Sequence, residues 1–295
     1  MDFVFKEKIM LTRTQEIERS ILTTYRSNIW ANFIKAIKAY DLIKENDHIC
    51  VCISGGKDSM LLAKLFQELN KHSMFNFKVS YLVMNPGYSE KNINLIKENL
   101  EILGIPAIIK DSNIFDVANA QDKNPCYLCA RMRRGVLYKL AQELGCNKIA
   151  LGHHFDDVIE TTLMNLLNSG SFQSMLPKLH SQNFEGMELI RPMYYIREKD
   201  IIRFAKGNDL HFIQCACRFT ENIVTKELKE MSSKRHETKM LIKELVKNNP
   251  LVEKNIFKSI ENVNVDMVIG YKLNNQKHSF LDDYDSKEYK IPKKE

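Results

Sequence analysis

The chain has 295 residues, of which 44% are hydrophobic and 27% charged, with a net charge of +6. These values belong to a folded globular chain and exclude collagen-like and low-complexity classes, while the modest positive charge permits a nucleic-acid partner without requiring one. No apolar run approaches the ~20 residues of a membrane helix. The opening MDFVFKEKIMLTRTQEIERS interleaves charges with apolar residues, so neither a membrane partner nor a secretory signal is expected, and the expected location is the cytoplasm. In that compartment seven cysteines point to thiols, metal ligands or catalysis before disulfides.

Taken in chain order, residues 11–45 are rich in helix formers. Ile21, Tyr25, Ile29, Phe33, Ile37 and Tyr40 make an apolar stripe at three- and four-residue intervals, which predicts helices packed on the sheet that follows. The run HICVCI (48–53) reads as a strand buried on both faces. Next comes SGGKDS (54–59), and then MLLAKLFQEL (60–69) with leucines at helical spacing. Strand, glycine loop, helix is an arrangement whose backbone N–H groups and helix dipole converge on one point, where negative charge is favoured. Lys57 adds a full positive charge, so the loop is suited to phosphate. Its spacing fits neither the mononucleotide loop GxxxxGK[ST] nor the dinucleotide loop GxGxxG. Ser54, Gly55, Gly56, Lys57, Asp58 and Ser59 instead resemble the signature of the PP-loop ATPases. That resemblance implies binding of ATP and its cleavage to AMP and pyrophosphate while a substrate is adenylated.

The pattern then repeats. FKVSYLVMN (77–85) is a second strand, INLIKENLEILG (93–104) a helix closed by glycine, IPAIIKDS (105–112) a third strand, RRGVLYKLAQELG (133–145) a helix, and CNKIALGHH (146–154) a fourth strand. Helices alternating with buried strands predict an α/β doubly wound parallel sheet, with the ligand at the carboxyl ends of the strands, where SGGKDS and GHHFDD both fall. Residues 155–206 read as helical with one loop, GSFQSMLPKLHSQNFEGME. Residues 221 to about 262 read as two lysine-rich helices parted at Asn248-Asn249-Pro250, and the polar stretch beyond Gly270 as a loose tail. The expected organisation is a helical segment 1–45, a nucleotide-binding domain 46–220, a lysine-rich helical segment 221–270 and a tail 271–295.

Cys126 and Cys129 form PCYLC, and Cys215 and Cys217 form CAC some ninety residues later. Cysteine pairs suit a thiolate metal site, but spacing alone leaves zinc and iron-sulfur both open. Cys50, Cys52 and Cys146 read as packing residues. Arg131, Arg133 and Arg134 follow the CxxC, and Lys199, Arg203 and Lys206 line a later helix. Such runs are often only solvated faces, yet beside a nucleotide site they suit RNA phosphates.

The segment CYLCARMRRGVLYKLAQELGCNKIALGHHFDDVIETTLMNLL, with PKL (177–179), RPMYYIREKDIIRFA (191–205) and the late cysteine pair, resembles the tRNA 2-thiocytidine synthetases from about residue 30 to about 220. The resemblance implies a PP-loop ATPase carrying a 4Fe-4S cluster on three cysteines, with ATP and Mg²⁺, that thiolates a cytidine of the tRNA anticodon loop. Carried over, Cys126 and Cys129 are cluster ligands. The third is Cys217, although the family has CxxC where this chain has CxC, so Cys215 stays open. Ser54, Gly55, Gly56, Lys57, Asp58, Ser59, Met84, Gly152 and His153 are assigned to the nucleotide, and Lys57, Asp58 and Asp157 to catalysis. Asp156 and Asp157 are candidates for the metal, Asp156 being expected as the exposed neighbour.

The implied partners are tRNA and a sulfur donor such as a cysteine desulfurase or free sulfide, with a homodimer left open. Three rivals remain: a thiouridine synthetase of the same plan, a lysidine-type adenylating enzyme, which has no use for the cysteines, and a nucleotide-binding redox sensor, which would not bind tRNA.

Overall fold

In the computed structural model, HICVCI forms β1 (His48–Ile53), buried from Ile49 onward. It lies between β2 (Lys78–Asn85) and β4 (Lys148–Ala150), parallel to both. The structure describes residues 11–72, 76–112, 114, 125–213 and 226–285, with side chains in two long helices described from Met132 and from Lys234 onward.

The six-stranded sheet has the order β3-β2-β1-β4-β6-β5, where β3 is Ala107–Asp111, β5 Lys178–His180 and β6 Glu188–Ile190. All neighbours run parallel except β5, which pairs antiparallel with β6. The order reverses between β1 and β4, so the crevice for a ligand opens past the ends of those two strands.

Helices cover both faces. The N-terminal stripe builds α1 (Arg13–Leu22), a π-helical turn (Arg26–Trp30) and α2 (Ala31–Ala39). Ile17, Ile21, Ile29 and Phe33 are wholly buried in the same core as β1 and α3 (Lys57–His72). Phe33 meets Phe66 of α3 edge to face at 5.6 Å. Lys64 of α3 is fully buried and is satisfied by Glu18 at 2.7 Å and the Leu103 carbonyl at 2.6 Å. Helix α4 (Glu90–Leu103) starts on a Ser89 cap and stops at Gly104 in the left-handed region, φ 62°, as the glycine predicted.

Three sequence expectations change. Helix α5 runs from Pro125 to Glu143 and so takes in the CxxC, eight residues before the expected start. Residues 155–206 are not helical around one loop: between α6 (Phe155–Ser169) and α7 (Glu198–Gly207) the expected loop holds β5 and leads into β6. Strands of three residues are too short to display an alternating pattern, and here β6 is set by β4 beside it and β5 by β6. Past Gly270, β7 (Gly270–Leu273) and β8 (Gln276–Ser279) form a hairpin. Its turn is Asn274-Asn275, both at positive φ, the backbone that a tight hairpin turn needs.

The lysine-rich segment folds into α8 (Lys226–Asn248) and α9 (Val252–Glu261), parted where expected. Thr238 and Ile242 of α8 and Phe257 of α9 are buried, and Phe257 stacks on Phe155 at 4.6 Å. No helix among the described residues is long and apolar enough to cross a membrane.

Candidate active site

The loop Ser54–Ser59 leaves β1 and closes on itself before α3 begins. Ser59 Oγ donates to the Gly56 carbonyl at 3.0 Å, and the Ser54 amide donates to Ser59 Oγ at 3.1 Å. Gly55 sits at φ +87°, a backbone that demands glycine, and a Cβ there would lie 2.5 Å from Ile213 Cδ1, so that side chain packs directly on the loop. Gly152, in the turn after β4, packs backbone on backbone: a Cβ would come within 3.1 Å of the Asp58 carbonyl carbon and the Ser59 amide nitrogen. The GHH turn therefore abuts the loop, and the two motifs form one site at the switch point of the sheet.

Three adjoining cavities surround it. One of about 330 Å³ is lined by Ser54, Ser59, Met84, Gly152, His153 and Asp157. A second, of about 650 Å³, runs from Ser54, Gly56 and Lys57 past Arg133 to Lys206. The third, of about 300 Å³, is walled by Lys57, Asp157, Glu160, Glu198, Arg235 and Lys239. The nucleotide residues read from sequence thus converge here, Gly55 in the loop beneath them. The first cavity pairs apolar wall, such as Met84, with polar groups at one end, a composition suited to a nucleotide.

Lys57, Asp157, Glu160, Glu198, Arg235 and Lys239 are all paired within the chain. Lys57 Nζ lies 3.2 Å from Asp58 and 3.3 Å from Glu198. Burial raises the Asp58 carboxyl above its usual range, against the opposing pull of Lys57 and His154. Burial, with the Arg191 guanidinium adding to it, pushes the His153 imidazole down to about 4, so His153 is neutral at neutral pH and meets a ligand as a hydrogen-bonding group without charge. His154 starts α6. Its Nδ1 accepts from the Asp157 amide at 3.4 Å while its own amide donates to Asp157 Oδ2 at 2.9 Å.

The two aspartates reverse the expected contrast. Asp156 is not an exposed neighbour: its side chain is 15% accessible, grips Arg197 through Nε and Nη2, and accepts the Glu198 amide at 2.7 Å. It is the anchor of α7, and Arg197 in turn reaches Glu253 of α9. Asp157 faces the cavities with one oxygen in the helix cap and the other on Arg235, whose Nε also donates to Glu160 at 2.9 Å. Among the described residues no group of three His, Cys, Asp or Glu side chains is arranged to hold a metal. Asp58 and Asp157 nonetheless fit Mg²⁺, which takes one or two carboxylates and draws its remaining oxygens from phosphate and water.

The cysteines divide. Cys50, Cys52 and Cys146 are free and buried, and the Cys50 and Cys146 thiols are held protonated, Cys146 by its hydrogen bond with Cys50 and by burial. They are packing residues, as expected. Cys126 and Cys129 stand in the opening turns of α5. Four residues after Cys129, about 6 Å along the helix, Arg133 of the same α5 lines two of the cavities. A pair of thiolate donors at the head of a helix that reaches the nucleotide cavity fits an iron-sulfur or zinc ligand set. Cys215 and Cys217 lie outside the described residues. Lys199, Arg203 and Lys206 are exposed on α7, and Arg134 is exposed on α5. Glu198, Arg235 and Lys239 were not singled out from sequence. Glu198 stood in the REKD stretch, whereas nothing in a lysine-rich helix marks which of its cations turn inward.

The PP-loop domain family matches residues 22–229. A tRNA-cytidine(32) 2-sulfurtransferase of Geotalea uraniireducens is 36% identical over 233 residues, 78% of this chain and 88% of that one. One of Vibrio parahaemolyticus is 34% identical over 259 residues, covering 85% and 82%. Among solved structures, the U34-tRNA thiolase NcsA of Methanococcus maripaludis, with its [4Fe-4S] cluster, aligns with a TM-score of 0.61 at 25% identity, over 78% of this chain and 76% of that one.

Proposed function

The chain belongs to the PP-loop domain family and, within it, to the tRNA-cytidine(32) 2-sulfurtransferases, and from that premise we propose how its residues carry out the reaction. It is an ATP-dependent tRNA sulfurtransferase: it adenylates the C2 oxygen of a pyrimidine and replaces that oxygen with sulfur, forming 2-thiocytidine in the anticodon loop. The observation that carries the assignment of residues is the meeting of the SGGKDS loop, the GHH turn and Arg133 of the CxxC-bearing helix at one set of cavities.

The cytidine C2 oxygen attacks the α-phosphorus of ATP, and pyrophosphate leaves with the electrons of the broken P–O bond. Loop amides and Lys57 stabilise the charge that develops on it. Asp58 and Asp157 are the carboxylates that would hold Mg²⁺, which would supply further positive charge to the phosphates, and His153, uncharged at neutral pH, is placed to hydrogen-bond the nucleotide. Ser54, Gly55, Gly56, Ser59, Met84 and Gly152 complete the ATP site. Hydrosulfide then adds at C2, a proton is lost, and AMP departs with the original oxygen.

Cys126, Cys129 and Cys217 would hold a 4Fe-4S cluster, with Cys215 the alternative third, and when bound the cluster would supply a binding position for the incoming sulfur. Arg133, Arg134, Lys199, Arg203 and Lys206 face the tRNA phosphates. The sulfur comes from a cysteine desulfurase or free sulfide, the setting is the cytoplasm, and homodimer formation is compatible with this arrangement.

Mass spectrometry of tRNA nucleosides from cells lacking the protein tests the reading. Loss of 2-thiocytidine with 2-thiouridine retained is expected. Loss of 2-thiouridine instead would assign the chain to the thiouridine synthetases, and unchanged thionucleosides would contradict sulfur transfer altogether.

A further inference from the structure

Lys57, the one full positive charge of the phosphate loop, is shared between its neighbour Asp58 at 3.2 Å and Glu198 Oε1 at 3.3 Å. A nucleotide that takes Lys57 must draw it from Glu198 as well as from Asp58. Glu198 is 21% accessible, too enclosed to lose its only cation cheaply. It has a second one. Its other oxygen, Oε2, is hydrogen-bonded to Lys239 Nζ of α8. Lys239 stands four residues from Arg235 on the same helix face, and Arg235 binds Asp157 and Glu160. Both cations come from beyond residue 229, where the match to the PP-loop domain ends.

We infer that Lys239 is a positioning residue of the ATP site, acting through Glu198: it keeps that carboxylate neutralised so that Lys57 can turn from it to phosphate. The inference rests on the reading of Lys57 as a phosphate ligand. While the site is empty, Glu198 bridges the two lysines. When the nucleotide arrives, Lys57 exchanges one anion for another, and Glu198 stays with Lys239. The same pairing explains why Glu198, raised by burial, is nevertheless drawn down to about 2 by Lys239 and Lys57 together. Without Lys239, Glu198 keeps Lys57 as its one cation among the described residues, and it then competes with phosphate at full strength. Helix α8 thus contributes to the site through Glu198.

The test is equilibrium binding of a non-hydrolysable ATP analogue with Mg²⁺ to the full-length protein, for the wild type and for Lys239→Met, Glu198→Gln, the double variant and Lys57→Ala. Lys239→Met should bind about tenfold more weakly, a change of about 1.4 kcal/mol. Glu198→Gln should bind at least as tightly as the wild type, and the double variant should match Glu198→Gln. A merely structural role for Lys239 in docking α8 predicts the opposite for the double variant, which would stay as weak as Lys239→Met or weaker. That result, or wild-type binding by Lys239→Met, overturns the inference while leaving Lys57 its role if Lys57→Ala binds weakly. Wild-type binding by Lys57→Ala removes the phosphate role of the loop lysine and the inference with it.

Discussion

At the scale of single residues, the parts of the site that were legible in the sequence are those fixed by local geometry. Gly55 must be glycine because its φ is +87°, and Lys57 follows it in a loop whose spacing already names phosphate. What could not be read is long-range pairing: Glu198 to Lys57 and Lys239, Arg235 to Asp157, and Asp156 to Arg197. Each depends on which face of a helix is pressed to the site, and Lys234, Arg235, Lys239 and Lys243 in one helix offer several cations for that face. Glu198 has a measurable signature. Its ordinary value is 4.5 and in the fold it titrates at about 2, so it contributes stability that is fully present above about 4.5 and is lost as the pH falls toward about 2. Thermal midpoints of the wild type and Glu198→Gln should therefore differ at neutral pH. The gap should narrow below pH of about 4.5 and close near pH 2; a gap that widens on acidification would contradict the pairing.

At the scale of elements, the helices were legible by their long period, β1 and β4 by burial, and β2 and β3 by the apolar runs that flank the glycine-closed helix between them. Helix α4 carries its own serine cap and terminal glycine, and β1 is apolar or cysteine from Ile49 to Ile53. The hairpin β5–β6 was not, since three residues are too few to show a period and Glu188–Ile190 owes its strand to β4. The element that matters most to the site is the turn after β4. It touches the loop through backbone at Gly152, so a side chain there cannot be accommodated by swinging a flexible neighbour aside. Gly152→Val should displace the start of α3 while leaving the core of β1 and α1 intact. We expect thiolation to fall on the order of 100-fold, the cost of misplacing reacting groups by about 1 Å, with the far-ultraviolet circular dichroism unchanged. Activity near that of the wild type would show that the GHH turn does not set the position of the loop.

At the scale of the whole molecule, one α/β sheet brings separate pieces of chemistry to its switch point. The loop arrives from β1, the GHH turn from β4, the CxxC-bearing helix α5 from one side, and the C-terminal helices α8 and α9 from beyond the matched domain. The alternation of strands and helices made this plan legible, because only a parallel sheet accommodates it. The docking of α8 on α6 was not legible, because it rests on a few buried residues, Thr238 and Ile242 among them, and on ion pairs to the site. The central claim is that cleavage of ATP and insertion of sulfur are one coupled reaction at this switch point. It is tested most directly by incubating anaerobically purified protein with unmodified tRNA, ATP, Mg²⁺ and sulfide, and quantifying AMP and thionucleosides together. One AMP should form for each 2-thiocytidine, with neither product from Lys57→Ala, whereas 2-thiocytidine formed without AMP, or AMP formed with no thionucleoside, would contradict it.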